Sequence, residues 1–162
     1  MKKIKKGNAL VLTTVILFAV STIATGVTMY FYYTSVTTRT SNIFIQKHIE
    51  LETEFNKNYN IILSGEQVVL REGESAKSLE AVVRIEVNAT TPTYTFTFNN
   101  YKNVIKFVSI DGDVKTCAYS LETSLNNRDY FLQKTIVIHD YNGSNVEYSV
   151  ANEEVYKVNV NR

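Results

Sequence analysis

"NALVLTTVILFAVSTIATGVTMYFYYTSVTT" (residues 8–38) carries no charged side chain across 31 residues. As a helix it would extend about 46 Å, against a bilayer hydrocarbon thickness of about 30 Å. One membrane span fits, with helix to spare. Lys2, Lys3, Lys5 and Lys6 stand just before the run, and the next charge after it is Arg39. The positive-inside rule therefore predicts a cytoplasmic N-terminus and a C-terminal bulk on the outer side. Tyr30, Tyr32 and Tyr33 fall near the outer boundary, where aromatic rings with polar tips settle.

The interior of the run is unusual. It holds Thr13, Thr14, Ser21, Thr22, Thr25, Gly26 and Thr28, with small residues four apart in the pairs Ser21–Thr25, Thr22–Gly26 and Ala24–Thr28. Two readings follow from that spacing. Small residues let helices approach closely and bond across, or the hydroxyls bond back to their own preceding turn. A secretory signal cut after Thr22-Ile23-Ala24 is a third idea. Against it, the apolar character continues through Tyr33 and then becomes amphipathic.

In the continuation, Phe44, His48, Leu51, Phe55, Tyr59 and Ile62 recur at helical spacing and form one stripe, while Glu50, Glu54 and Lys57 lie off it. No proline interrupts residues 8–63. The expectation is one helix of roughly 55 residues, with Gly26 as its weak point. Its first half (8–38) is a transmembrane and assembly segment, and its second (39–63) is amphipathic. His48 reads as a residue at the edge of the core, and Glu50, Glu52 and Glu54 as a solvated face.

Residues 64–162 change to period two. "AVVRIEV" alternates Val83, Ile85 and Val87 against Arg84 and Glu86, and "TYTFTF" alternates aromatics with threonines. "VIKFVSI", "VKTCAYSL", "LQKTIVIHDY", "VEYSV" and "EVYKVNV" also favour strand. Asp111-Gly112 and Asn142-Gly143 suit tight hairpins. Asn99-Asn100 is a weaker signal of the same kind, and "ETSLNNRD" reads as a longer loop. These observations predict an α+β fold. A long N-terminal helix packs on a mainly antiparallel sheet of about six or seven strands, with Phe44, Leu51, Phe55, Tyr59 and Ile62 at the helix–sheet contact.

Chemistry is sparse. The sequence has no phosphate loop, GxSxG, CxxC or HExxH motif. His48 and His139 lack zinc spacing, and "DGD" at 111–113 reads as a turn rather than a calcium loop. Cys117, the lone cysteine, reads as a small buried hydrophobe. The triplets at Asn88 and Asn142 match the glycosylation pattern, which often arises by chance. Net charge is +1, and subtracting the four leader lysines leaves −3, so no basic face for nucleic acid stands out. No cofactor, metal or catalytic residue is expected.

The lysine leader "MKKIKKG", Gly7 directly before an uncharged helix, and that helix running unbroken into a sheet domain together resemble type IV pilins and pseudopilins. The likeness is motif-specific over residues 1–40 and architectural beyond. It implies that residues 1–7 are a leader removed by a prepilin peptidase between Gly7 and Asn8, with methylation of the new terminus. It also implies that the helix is first a lipid-embedded anchor and then the core of a cell-surface filament. Its partners would be other pilin subunits and the pilus assembly platform. The family usually starts its mature chain with Phe or Met and carries Glu at the fifth position; this chain has Asn8 and Leu12. That glutamate is thought to neutralise a neighbour's terminal amine, whose burial unpaired would cost several kcal/mol. Its absence resembles minor subunits of the PilX or K-type pseudopilin kind and suits a place at the filament tip. The family's helix-breaking proline is also missing, with Met29 in its place. The rival expectations are a single-pass protein with an outer binding or sensing domain, and a tethered enzyme with a composite site.

Overall fold

The computed structural model describes residues 6–70 and 75–160. Lys2, Lys3 and Lys5 lie outside the described residues, and side chains are described from Leu10 onward. Helix α1 runs Lys6–Ser64, 59 residues, and passes Gly26 without interruption. It stops where Gly65 takes φ +65, with the Gly65 amide donating to Ile62 O at 3.3 Å. A residue without Cβ enters that left-handed region at no steric cost, and the turn satisfies a terminal carbonyl. The chain forms two compact units, one ending at Ile45 and the other beginning at Gln46.

The second unit contains the end of α1, a two-stranded pair β1 (Gln67–Val68) and β2 (Lys77–Ser78), and a short helix α2 (Leu79–Ala81) that runs on as a π-helical turn, Val82–Glu86. Five strands follow: β3 (Thr93–Phe98), β4 (Tyr101–Asp111), β5 (Val114–Leu125), β6 (Arg128–His139) and β7 (Glu147–Val160). They pair in chain order as an antiparallel meander. The fold is α+β, with the end of α1 packed on this sheet.

The inner face is legible in the registers. Ile105 stands opposite Tyr119, Asn103 opposite Leu121, Leu121 opposite Leu132, and Cys117 opposite Ile136. All of these are buried. Leu51, Phe55 and Ile62 of α1 are buried over this core, with the Phe55 ring edge-on to Tyr119 at 5.6 Å. Tyr59 is half-buried and stacks on Phe55, whereas Phe44, in the first unit, is 44% exposed.

Three sequence expectations are corrected. "AVVRIEV" is helical, not a strand: Ser78 caps α2 by accepting from the Ala81 amide, and Leu79, Val82, Val83 and Val87 are wholly buried at helical spacing. A strand would have put Ile85 inward with Val83 and Val87, yet Ile85 is 64% exposed. Second, "ETSLNNRD" contains a two-residue hairpin. Asn126 and Asn127 have φ 52 and 57 between paired Leu125 and Arg128, just as Asn99 and Asn100 have φ 51 and 66 between Phe98 and Tyr101. Both central residues at positive φ match the twist of the flanking strands, and asparagine tolerates that region. Third, Asn142-Gly143 is no two-residue hairpin, although the Gly143 amide donates to Asp140 O at 2.9 Å. It lies inside the longer 140–146 loop, where Asp140 takes the positive φ. "VEYSV" and "EVYKVNV" form the single strand β7, with an irregularity where Lys134 pairs with Glu154 but Ile136 with Val150.

Candidate functional site

In the first unit the described side chains of α1 are almost all exposed, including Leu10, Leu12, Phe18, Ile23, Phe31 and Val36. The helix is long and apolar enough to cross a membrane, the one such helix among the described residues. Its threonines do not break that apolar surface. Thr14, Thr22, Thr25 and Thr28 each donate to the carbonyl four residues back, at 2.8–2.9 Å, and Thr34, Thr37 and Thr40 do the same. Among the residues at that four-apart spacing, the hydroxyls of Thr22, Thr25 and Thr28 bond back to their own helix. A satisfied hydroxyl presents little polarity to lipid or to another helix. No atom lies within 4 Å of where a Cβ on Gly26 would stand, so the chain itself makes no use of that gap. Tyr30 and Phe31, and Tyr32 and Tyr33, meet edge-on at 5.9 Å as a collar of rings. Lys6, Gly7 and Asn8, at the expected processing point, belong to the helical backbone of α1.

The second unit joins α1 to the sheet through a polar seam that the amphipathic pattern did not reveal. Glu54 is 4% exposed; it accepts from Asn99 Nδ2 at 2.7 Å and pairs with Lys57 at 3.2 Å. One turn on, Asn58 donates to Asn103 Oδ1 at 3.1 Å, and Tyr119 Oη donates to the same oxygen at 2.8 Å. Asn103 Nδ2 donates to Tyr101 O at 2.8 Å. One turn back, Glu50 accepts from Tyr101 Oη at 2.5 Å and pairs with Lys47 at 2.6 Å. Burial alone would raise the Glu50 pKa, but these two donors hold it below the ordinary value. Burial, joined by Glu50, pushes the Tyr101 phenol far up.

Beside this line, Lys134 of β6 bridges Glu52 of α1 at 2.6 Å and Glu154 of β7 at 3.1 Å, and His48 meets Glu154 at 2.7 Å. The His48 ring lies on Tyr156, centroids 4.5 Å apart. Burial opposes the charge on Lys134, but its two carboxylate partners raise its pKa overall; burial likewise opposes Glu154, whose pKa Lys134 and His48 lower. His48, Glu52 and Glu154 bring three potential metal-ligand atoms within 4.8 Å of one another. Because Lys134 already holds both carboxylates, the cluster is an ion-pair network, and a metal would have to displace that ammonium. Cys117 is wholly buried, and burial pushes its thiol pKa up. Asn88 spends its side chain on a turn, accepting from the Thr90 and Thr91 amides at 2.9 Å. Comparison with known protein families, curated proteins and solved structures finds no match.

Proposed function

We propose that this chain is a minor subunit of a type IV pilus-like filament. It has a structural and assembly role, is inserted with its N-terminus in the cytoplasm, and is processed between Gly7 and Asn8. One observation carries this reading. A single uninterrupted α-helix presents an exposed apolar surface from Leu10 to beyond Tyr33 and continues into a segment packed on an antiparallel sheet. Such a surface needs lipid before assembly and other helices after it. Leu12, where pilins usually place a glutamate, makes the chain unable to neutralise the terminal amine of a subunit above it, which favours a tip or initiating position.

Intact mass of the chain, coexpressed with a prepilin peptidase, tests the proposal. The expected result is loss of residues 1–7 in the wild type and retention in Gly7→Ala. A full-length wild-type chain would instead support a single-pass protein with an outer binding domain. Normal trimming of Gly7→Ala would point to a different protease.

A further inference from the structure

Lys115 lies on the inner face of β5, opposite Ile138, and is 1% exposed. Its ammonium makes one hydrogen bond, to Arg84 O at 2.7 Å in the π-helical turn, and no described carboxylate is in ion-pair reach. The carbonyl end of a short helix offers a fraction of a negative charge and leaves a buried cation largely unneutralised. Two of the three ammonium donors have no acceptor among the described residues. Lys134 makes the contrast, since two carboxylates hold it.

Lys115 also lines a cavity of about 430 Å³, within the range usual for small-molecule sites. Ile85 and Ile110 form apolar walls, Asn88, Tyr141 and Asn142 add polar groups, and Arg84 is the other cation. No carboxylate among the described residues lines it. Arg84 fixes the cavity's loop wall, donating to Tyr141 O at 2.6 Å and Gly143 O at 2.9 Å while pairing with Glu80 at 3.4 Å. A Cβ at Gly143 would meet the Asp140 carboxylate, so the two side by side keep this wall close-packed. Burial holds the Lys115 pKa below its ordinary value, as expected of an ammonium that lacks a counter-charge.

We infer that this cavity is a binding site for a small oxyanion, a carboxylate- or phosphate-bearing molecule, seated on the Lys115 ammonium between Ile85 and Ile110. The site supplies charge and unused donors beside apolar surface, and the bound anion gives the Lys115 ammonium the counter-charge it lacks. It is independent of the filament reading, since all its residues lie in the sheet unit.

The test titrates the full-length chain in neutral detergent with inorganic phosphate and, separately, with acetate, at constant ionic strength in sodium chloride. The readouts are the thermal unfolding midpoint and the rate of reductive methylation at Lys115, followed by mass spectrometry. The expected result is a midpoint that rises saturably with one or both anions, and methylation at Lys115 slowed at least severalfold while Lys102 and Lys157 react unchanged. The arm that responds separates phosphate from carboxylate chemistry. Lys115→Met keeps the stem and removes the charge, and should abolish the midpoint response. Should that variant fail to fold, Ile85→Trp fills the cavity from an exposed position and should abolish the same response. A wild type indifferent to both anions, or a folded variant that responds as the wild type does, overturns the inference.

Discussion

Phe31 and Phe55 belong to the same helix, yet Phe31 is 66% exposed and Phe55 is 2% exposed. Nothing in the helix backbone distinguishes them. What differs is the partner. Phe55 has Tyr119 beside it and the Lys134 ammonium 5.4 Å from its ring, whereas Phe31 has Tyr30 of its own helix. The polar groups differ in parallel. In the first stretch Thr22, Thr25 and Thr28 bond back within the helix; in the second, Glu50 and Glu54 accept from Tyr101 and Asn99 of the sheet and the Asn58 amide donates to Asn103. A helix whose polar groups are internally satisfied is suited to many apolar surroundings. One whose polar groups reach outward is committed to a single fold.

The sharpest way to break this contrast is to make one substitution in both places. Phe55→Ala removes a buried aromatic ring and should cost about 3–5 kcal/mol. Phe31→Ala should leave unfolding within about 0.5 kcal/mol of wild type, as exposed substitutions do. Urea denaturation in detergent, followed by the tyrosine signal of the sheet, measures both. Equal losses would mean that the first stretch is also stabilised by the chain's own fold.

A smaller effect probes the seam. Asn103 Oδ1 accepts from both Asn58 and Tyr119, and all three side chains are buried. Asn103→Leu keeps the volume but strands the Tyr119 hydroxyl and the Asn58 amide, at a cost of about 1–3 kcal/mol. The matched change in the first stretch, Thr25→Val, should be close to neutral, because the carbonyl it frees still has its helical partner. If Asn103→Leu is neutral in the same urea assay, the seam adds no stability beyond its apolar contacts.

Much of this architecture was legible in the residues. The 31 uncharged positions and the stripe through Leu51, Phe55 and Ile62 specify α1, and the alternation from Thr93 onward specifies the meander. The failures share a cause. Period-two alternation in "AVVRIEV" is also compatible with a helix whose buried positions are 79, 82, 83 and 87, and only the Ser78 cap and an exposed Ile85 decide between them. Buried Glu54, Asn58, Asn103 and Lys115 were invisible because a polar letter in a pattern reads as surface until its partner, distant in sequence, is known. For Lys115 the strand phase held the clue: it shares a face with Cys117, Tyr119 and Leu121.

The smallest expected effect concerns pH. Glu50 and Glu154 titrate below their ordinary value in the folded chain, so their contribution is complete above the unfolded pKa and is lost as pH falls through the folded one. Both side chains are about a third or more exposed, so solvent screening keeps the total below about 1 kcal/mol. Lys134 acts at the other end. Its raised pKa makes its contribution complete below the unfolded value of an ordinary lysine and lost only as pH climbs through the folded one. In Lys134→Met, Glu52 and Glu154 face each other without their shared cation, and the cost falls once acid protonates Glu154. The stability gap between wild type and Lys134→Met should therefore be widest near neutral pH and narrow as pH falls below the ordinary glutamate range, through the lowered pKa of Glu154. Urea midpoints of both proteins between neutral pH and pH 3 measure it, and a gap that stays constant would show that Lys134 stabilises through its ammonium over the Phe55 ring rather than through the two carboxylates.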